Sequence, residues 1–421
     1  MGNPTSDAIN TLHPVSTAPP ATDCERHGQA PASELLQSHR YFARVSRDLK
    51  NRAHNMVSRF PHDREVRFFW ADTLHTIGEL EAALTAYEAL LDEATPNERR
   101  RIEQAISQSH PERDYLTPGF QRYLDTERFG RPEHREYLVR DLQRGRQLAR
   151  VLQQWSLLRG KRTLDVGCSH GGTVMALAEQ GADTVGIEID PRRSSIGQQR
   201  VRDLGFQIEW HTGDICDSGF VARLGQFDVI VCQDVLEHVM DPVIAIRHLC
   251  SLLRLGGIIY CVMPNKYAAE FILADHHWRL TGLSLLSRPQ GLEYFAYATA
   301  IPAQHYDVGY LRTEKFYRCL FARGGVALEP VERFDTPDHV LWYAPAMSEL
   351  LSRVQRKAFP GLRPELQLRI KRRARKVAEL YIHASRILKS LENHPAQLAE
   401  ACHLIVSRLC VGAWQFVGRK S

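Results

Sequence analysis

The sequence predicts an α/β fold: a doubly wound, mostly parallel seven-stranded sheet with helical additions at both ends. Three observations carry this. From Arg159 onward, short apolar runs alternate with amphipathic segments of helical period, the signature of β-α-β units. The first of those runs breaks into a glycine-rich turn, TLDVGCSHGG, from Thr163 to Gly172. Outside it, residues 33–110 and 346–421 show helical periodicity only.

Composition narrows the setting. The 421 residues are 43% hydrophobic and 24% charged, as in soluble globular chains. No apolar run is long enough to span a membrane, and the first residues lack the basic-then-apolar order of a secretory signal. The nine cysteines are scattered without a CxxC pair, which suits a reducing compartment, so a cytoplasmic location is expected. Net charge is +5 but uneven. Residues 346–421 carry fifteen Lys or Arg against five Glu, a local +10 that leaves the remainder near −5.

Taken in order, residues 1–32 are rich in Pro, Ser, Thr and Ala, and read as a disordered tail. Its opening MGNPTS matches the myristoylation pattern at Gly2 and Ser6, a match short enough to arise by chance. Residues 33–110 are helical. Within them WADTLHTIGELEAALTAYEALL reads as a helical hairpin turning at Gly78, with Ala83 and Tyr87 on one face, and it resembles one tetratricopeptide-type repeat. Such a hairpin offers a surface for a protein partner. Residues 111–158 are a polar connector followed by one long amphipathic helix, EHREYLVRDLQRGRQLARVLQQWSLL. Residues 159–345 hold the strands: RTLDV, DTVGIEI, FQIEW, FDVIVC and GIIYCVM, then VALEPVERF and DHVLWYA after an insertion at 266–311. Residues 346–421 form a basic helical region, ending in an amphipathic stretch read as buried or dimer-forming.

Two kinds of cofactor suit the glycine turn. A dinucleotide turn needs GxGxxG, and Ser169 stands where its second glycine belongs. The turn also lacks a Lys or Arg for a phosphate. Carboxylates recur in register instead: Asp165 at the end of the first strand, Glu188 at the end of the second and Asp214 after the third. Together with FDVIVCQDVLEHVMDP and LRLGGIIYCVMPN, these residues resemble the class I S-adenosylmethionine-dependent methyltransferases, a Rossmann-like family, over roughly residues 160–344. The likeness is strongest to the group containing ubiquinone-pathway and sugar O-methyltransferases. Ser169 departs from the family's DxGCGxG pattern, but a small residue keeps the turn tight. The resemblance implies S-adenosyl-L-methionine as cofactor. It places Asp165 and Gly167 at the methionine end, Glu188 at the ribose, Asp214 and Ile215 at the adenine and Gln233 beside the sulfonium, with Cys168, Gly171 and Ile189 also binding the cofactor.

Methyl transfer is an in-line displacement, and a hydroxyl acceptor gains from a base. His238, ending VLEH, and His277, in ADHHW, are the candidate bases. The aromatic insertion suggests a lid over a small-molecule or saccharide acceptor. Asp234, Glu237 and His238 also form DxxEH, a variant of an ExxEH pattern that binds Mg²⁺ in some relatives, with His276 or His277 as a further ligand. Relatives without metal share LEH, so the metal-free reading is favoured and no metal ligand is assigned. The run RIKRRARK reads as a solvated helix packing through Ile370, Val377, Leu380, Ala384 and Ile387 rather than as a nucleic-acid site. The expected function is O-methylation of a small hydroxyl. An RNA methyltransferase and a non-catalytic scaffold of the same fold are the alternatives.

Overall fold

Seven strands form one sheet in the order β3-β2-β1-β4-β5-β7-β6. They are β1 Arg162–Val166, β2 Asp183–Glu188, β3 Glu209–Thr212, β4 Phe227–Gln233, β5 Leu253–Pro264, β6 Val326–Pro330 and β7 Ala413–Lys420. The computed structural model describes residues 50–421, apart from positions 52, 77–79, 92–93, 95–98, 100–101, 103–115, 127–131, 300, 310, 333–337 and 360–361. The proposed tail, the Gly2 motif, Gly78 and residues 111–115 and 127–131 of the connector lie outside the described residues, while the connector's middle forms the helix Pro118–Thr126. The first five strands pair in parallel, and β7 runs antiparallel to both β5 and β6. This is the mostly parallel doubly wound sheet that the alternation predicts.

The helices between strands begin where the sequence says they should. Asp190 precedes Pro191, and Asp241 precedes Pro242. In each case the aspartate side chain accepts two main-chain N–H groups of the first helical turn. Proline at the first helical position sacrifices no hydrogen bond, and each cap is worth about 1 kcal/mol. Both helix starts lie at the C-terminal edge of the sheet.

Three expectations are corrected. The run DHVLWYA lies in the helix Asp338–Val354. A short apolar run does not distinguish strand from helix, and here the spacing of buried Val340, Ala344, Met347, Leu351 and Val354 over the longer segment decides. The lead-in helix is two helices, Pro132–Val139 and Asp141–Gln153, separated at Arg140. The end of the chain is not helical: Ala413–Lys420 enters the sheet between β5 and β6. Its side chains alternate as a strand's should. Trp414 and Phe416 join the core on one face, while Val417 joins the core on the other. Its partner β6 ends more than eighty residues earlier, beyond any local pattern.

A second core stands beside the sheet. Leu283, Tyr294 and Phe295 of the insertion pack with Leu350, Ile370, Tyr381 and Leu388 of the C-terminal helices. The aromatic residues of the insertion are therefore largely its own interior: Phe271, Tyr294, Phe295 and Tyr306 are buried. The basic helix, Pro364–Ser390, buries Ile370, Val377 and Ala384 as read, but Leu380 is exposed and Tyr381 and Leu388 take up the stripe. Among the described residues no helix is long and apolar enough to cross a membrane, and the described cysteines are free thiols.

Two glycines bring the helix Asp141–Gln153 against the helix Gly172–Glu179. A Cβ on Gly145 would lie 2.7 Å from Gly172 O, and one on Gly172 would lie 2.4 Å from the Asp141 carbonyl carbon. Main-chain atoms cannot step aside cheaply. Gly172→Ala should destabilise the protein by about 1–3 kcal/mol, as overpacking does. Urea unfolding checks this, and an unchanged midpoint would mean that the helices part without cost.

Candidate active site

The glycine turn is built from its backbone outward. Gly167 has φ +76°, and a Cβ there would approach Val235 Cγ2 to 2.6 Å, so both dihedral and space require glycine. Gly171 follows at φ +91°. Ser169 sits at φ +49°, a conformation that costs a side chain about 1 kcal/mol or more. Two contacts offset this. The Ser169 N–H donates to Glu188 Oε2 at 2.9 Å, and its hydroxyl lies 2.9 Å from His170 Nδ1. The His170 ring packs on Phe120 and Tyr123, with centroids 5.3 and 4.9 Å away, and so docks the helix Pro118–Thr126 on the turn.

Two buried carboxyls meet here. Glu188 and Asp165 are each 4% exposed. Glu188 Oε1 accepts from the Asp190 N–H at 2.9 Å. A carboxylate offers about four acceptor positions, so Glu188 retains capacity for two further hydroxyls. The Asp165 carboxyl has no hydrogen-bond partner among the described residues. Burial, with the Glu188 charge added, pushes its pKa well above the usual carboxylate range. Such a pair suits a ligand with a cationic group and hydroxyl donors. Ile189, immediately after Glu188, is 62% exposed, an apolar platform beside two carboxyls. Cys168 and Ile215 are buried, and Asp214 accepts from the Cys216 N–H at 2.8 Å. Gln233 ends β4. All of these residues stand at or just after the C-terminal ends of parallel strands, where ligands bind in such sheets.

The histidines converge beside them. The His238 and His277 rings meet edge-on at 5.0 Å between centroids. His238 Nδ1 lies 3.0 Å from the Asp307 carbonyl oxygen. A carbonyl only accepts, so Nδ1 carries the proton and Nε2 is left as the acceptor. One ligand atom each from Glu237, His238 and His277 lies within 4.8 Å of the others. Glu237 is buried, with Oε2 unpartnered in the described structure, and burial, with Asp234 adding to it, raises its pKa well above the usual range. Asp234 is outside the group. Its Oδ2 faces the Tyr137 hydroxyl at 3.5 Å, and the Arg144 guanidinium lies 3.4 Å from the Tyr137 ring centroid. The DxxEH set is thus only partly assembled. Two imidazoles and one carboxylate suit a transition-metal ion better than Mg²⁺, which takes oxygen ligands.

The stretch that holds these positions is similar to known proteins. A family model described as a methyltransferase domain matches residues 136–314. Ubiquinone biosynthesis O-methyltransferase of Bordetella avium is 31% identical over 117 residues, covering 28% of this chain and 48% of that protein. Its counterpart in Xanthomonas euvesicatoria is 31% identical over 140 residues, covering 33% of this chain and 56% of that protein. Residues 136–314 are thus similar to a methyltransferase domain. The chain spans about half the length of the curated relatives it matches.

Several residues that shape this candidate site escaped the sequence reading. Asp275, 1% exposed, accepts from the main-chain N–H groups of His277, Trp278 and Leu280, and so fixes the turn that presents His277. Gly309 donates its N–H to Glu237 O, and a Cβ there would lie 2.5 Å from Val239 O. That close approach lays the end of the insertion across the Glu237–His238 turn. Asn265 donates to the carbonyls of Arg408 and Val411, fastening the start of β7 to the site edge. An aspartate two residues before His277 was a local signal for a turn. Gly309 and Asn265 carried none, because their partners are distant in sequence.

Proposed function

We propose that this protein O-methylates a hydroxyl of a small-molecule or saccharide acceptor with S-adenosyl-L-methionine, in the cytoplasm. The pair of buried carboxyls at the glycine turn, one of them unpartnered, is the observation that carries the reading. When bound, the cofactor supplies an electrophilic methyl group on a sulfonium. Glu188 holds the two ribose hydroxyls with its remaining acceptor positions. Asp165 faces the ammonium of the methionine part, and Gly167, Cys168 and Gly171 give it main-chain room. Ile189 covers one face of the adenine, while Asp214 and the Ile215 N–H meet its edge. Gln233 lines the wall nearest the transferring methyl. His238 Nε2 takes the acceptor's proton, with His277 supporting the ring. Alignment and exclusion of water supply the rest of the rate.

A metal-assisted variant is the second reading, favoured only by the unpartnered Glu237 Oε2. There Glu237, His238 and His277 would hold a divalent ion that polarises the acceptor hydroxyl. Calorimetry with S-adenosylmethionine, followed by radiolabelled methyl transfer to phenol, sugar, lipid, RNA and protein pools, tests the proposal. Binding and transfer to phenols or sugars are expected. Cofactor binding without transfer to any pool would favour a scaffold, and transfer to RNA alone would replace the acceptor class.

A further inference from the structure

We propose that Lys266, Arg312 and Arg373 form a binding site for an anionic group, a carboxylate or a phosphate, carried by the acceptor. This rests on the methyltransferase reading above and adds the acceptor's charge to it.

The three cations come from three segments of the chain. Lys266 follows β5, Arg312 comes just after the insertion, and Arg373 lies on the helix Pro364–Ser390. Main-chain contacts hold them together. Lys266 Nζ donates to the Leu311 carbonyl at 3.4 Å, and Arg373 donates to the Leu285 carbonyl. Ser284, next to Leu285, donates to the Lys266 carbonyl at 3.3 Å. Among the described residues, neither Lys266 nor Arg373 is paired with a carboxylate. On the same helix Arg375 pairs with Glu379, whereas Arg369 crosses to Gln290 of the insertion and Arg373 to the Leu285 carbonyl. Lys266 and Arg312 are half-buried and Arg373 is exposed, and like charges gathered in this way repel one another. Burial and the charges of Arg373 and Arg312 hold the Lys266 pKa below its ordinary value. A bound anion would relieve that repulsion.

The cluster also lies within an acceptor's reach of the histidines. His238 bonds the Asp307 carbonyl, and Lys266 bonds the Leu311 carbonyl. Asp307 and Leu311 are four positions apart, so their carbonyls stand at most about 14 Å from one another, with one hydrogen bond more at each end to His238 and Lys266. The Tyr317 phenol lies against the main chain of Arg312 and feels the Glu237 charge, which ties the cluster to the same edge of the sheet. A molecule with its hydroxyl at His238 and its anionic end at Lys266 fits that separation.

The full-length protein should be melted in inorganic phosphate, in benzoate and in chloride at matched ionic strength. Phosphate or benzoate should raise the melting temperature where chloride does not, and whichever acts identifies the anion class. Arg373→Gln and Lys266→Met should each weaken that response by about tenfold or more in apparent affinity. S-adenosylmethionine binding should stay unchanged in both variants. Arg373→Gln sits on an exposed helix face and keeps the test independent of any folding defect at Lys266. The inference is overturned if neither anion stabilises the wild type, or if both variants respond as it does. Failure of cofactor binding in the wild type would instead overturn the methyltransferase reading.

Discussion

Glu188→Ala should weaken S-adenosylmethionine binding by roughly ten- to a hundredfold. In the proposed site the carboxyl accepts from two hydroxyls, each such bond is worth about 1.5–3 kcal/mol, and about 1.4 kcal/mol is a factor of ten. Part of the loss is local, since Glu188 also holds the Ser169 N–H. Glu188→Gln keeps one acceptor oxygen and should fall between wild type and Ala. Calorimetry on the three proteins decides, and equal affinities would remove Glu188 from the site. The same titrations carry a pH test. Asp165 has a raised pKa in the free protein, through burial and the nearby Glu188 charge. A cationic ligand favours its ionised form. Below that raised value binding must release a proton, so affinity should climb with pH by up to about tenfold per unit and level off once Asp165 is ionised in the free protein. The sign follows from the direction of the shift. Asp165→Asn should flatten the profile, and a falling profile in the wild type would contradict the assignment.

The second large effect belongs to His238. His238→Ala should lower kcat by roughly 10²–10⁴-fold with little change in cofactor affinity, because general-base catalysis contributes about that much. The Asp307 carbonyl fixes which nitrogen can accept the proton, so His238→Gln should not rescue the rate. His277→Ala should cost less if its role is to support the ring. The metal-assisted reading predicts another pattern: a chelator abolishes turnover, a divalent ion restores it, and Glu237→Gln is as damaging as either histidine change. Recovery with Mn²⁺ or Zn²⁺ would replace the base by a metal. Full activity in both histidine variants would leave alignment and desolvation as the sources of rate.

Much of this site was legible locally. Asp165 and Glu188 stand at the ends of strands of five and six residues, Gly167 and Asp214 just after strands of five and four, and an Asp-Pro pair announces two of the helices. Such signals depend on neighbours within a turn or a strand's length. Spacing also put His238 on the short turn after β4.

What the sequence by itself determined was therefore the alternation of strand and helix, the glycine turn and the carboxylates in register. Only the tertiary structure decided the rest. β7 became a strand because β5 and β6 present edges to both its sides, with Gly418 allowing Val326 Cγ1 to within 2.5 Å of where a Cβ would stand. The insertion's aromatics became a core because the C-terminal helices cover them. Asp234 left the Glu237–His238 group to face Tyr137, which stands nearly a hundred residues earlier in the chain. Arg373 reached the Leu285 carbonyl across a comparable gap. In each case the partner is remote in sequence, and hydrophobic burial and hydrogen bonding act on distance in space, which local periodicity does not encode.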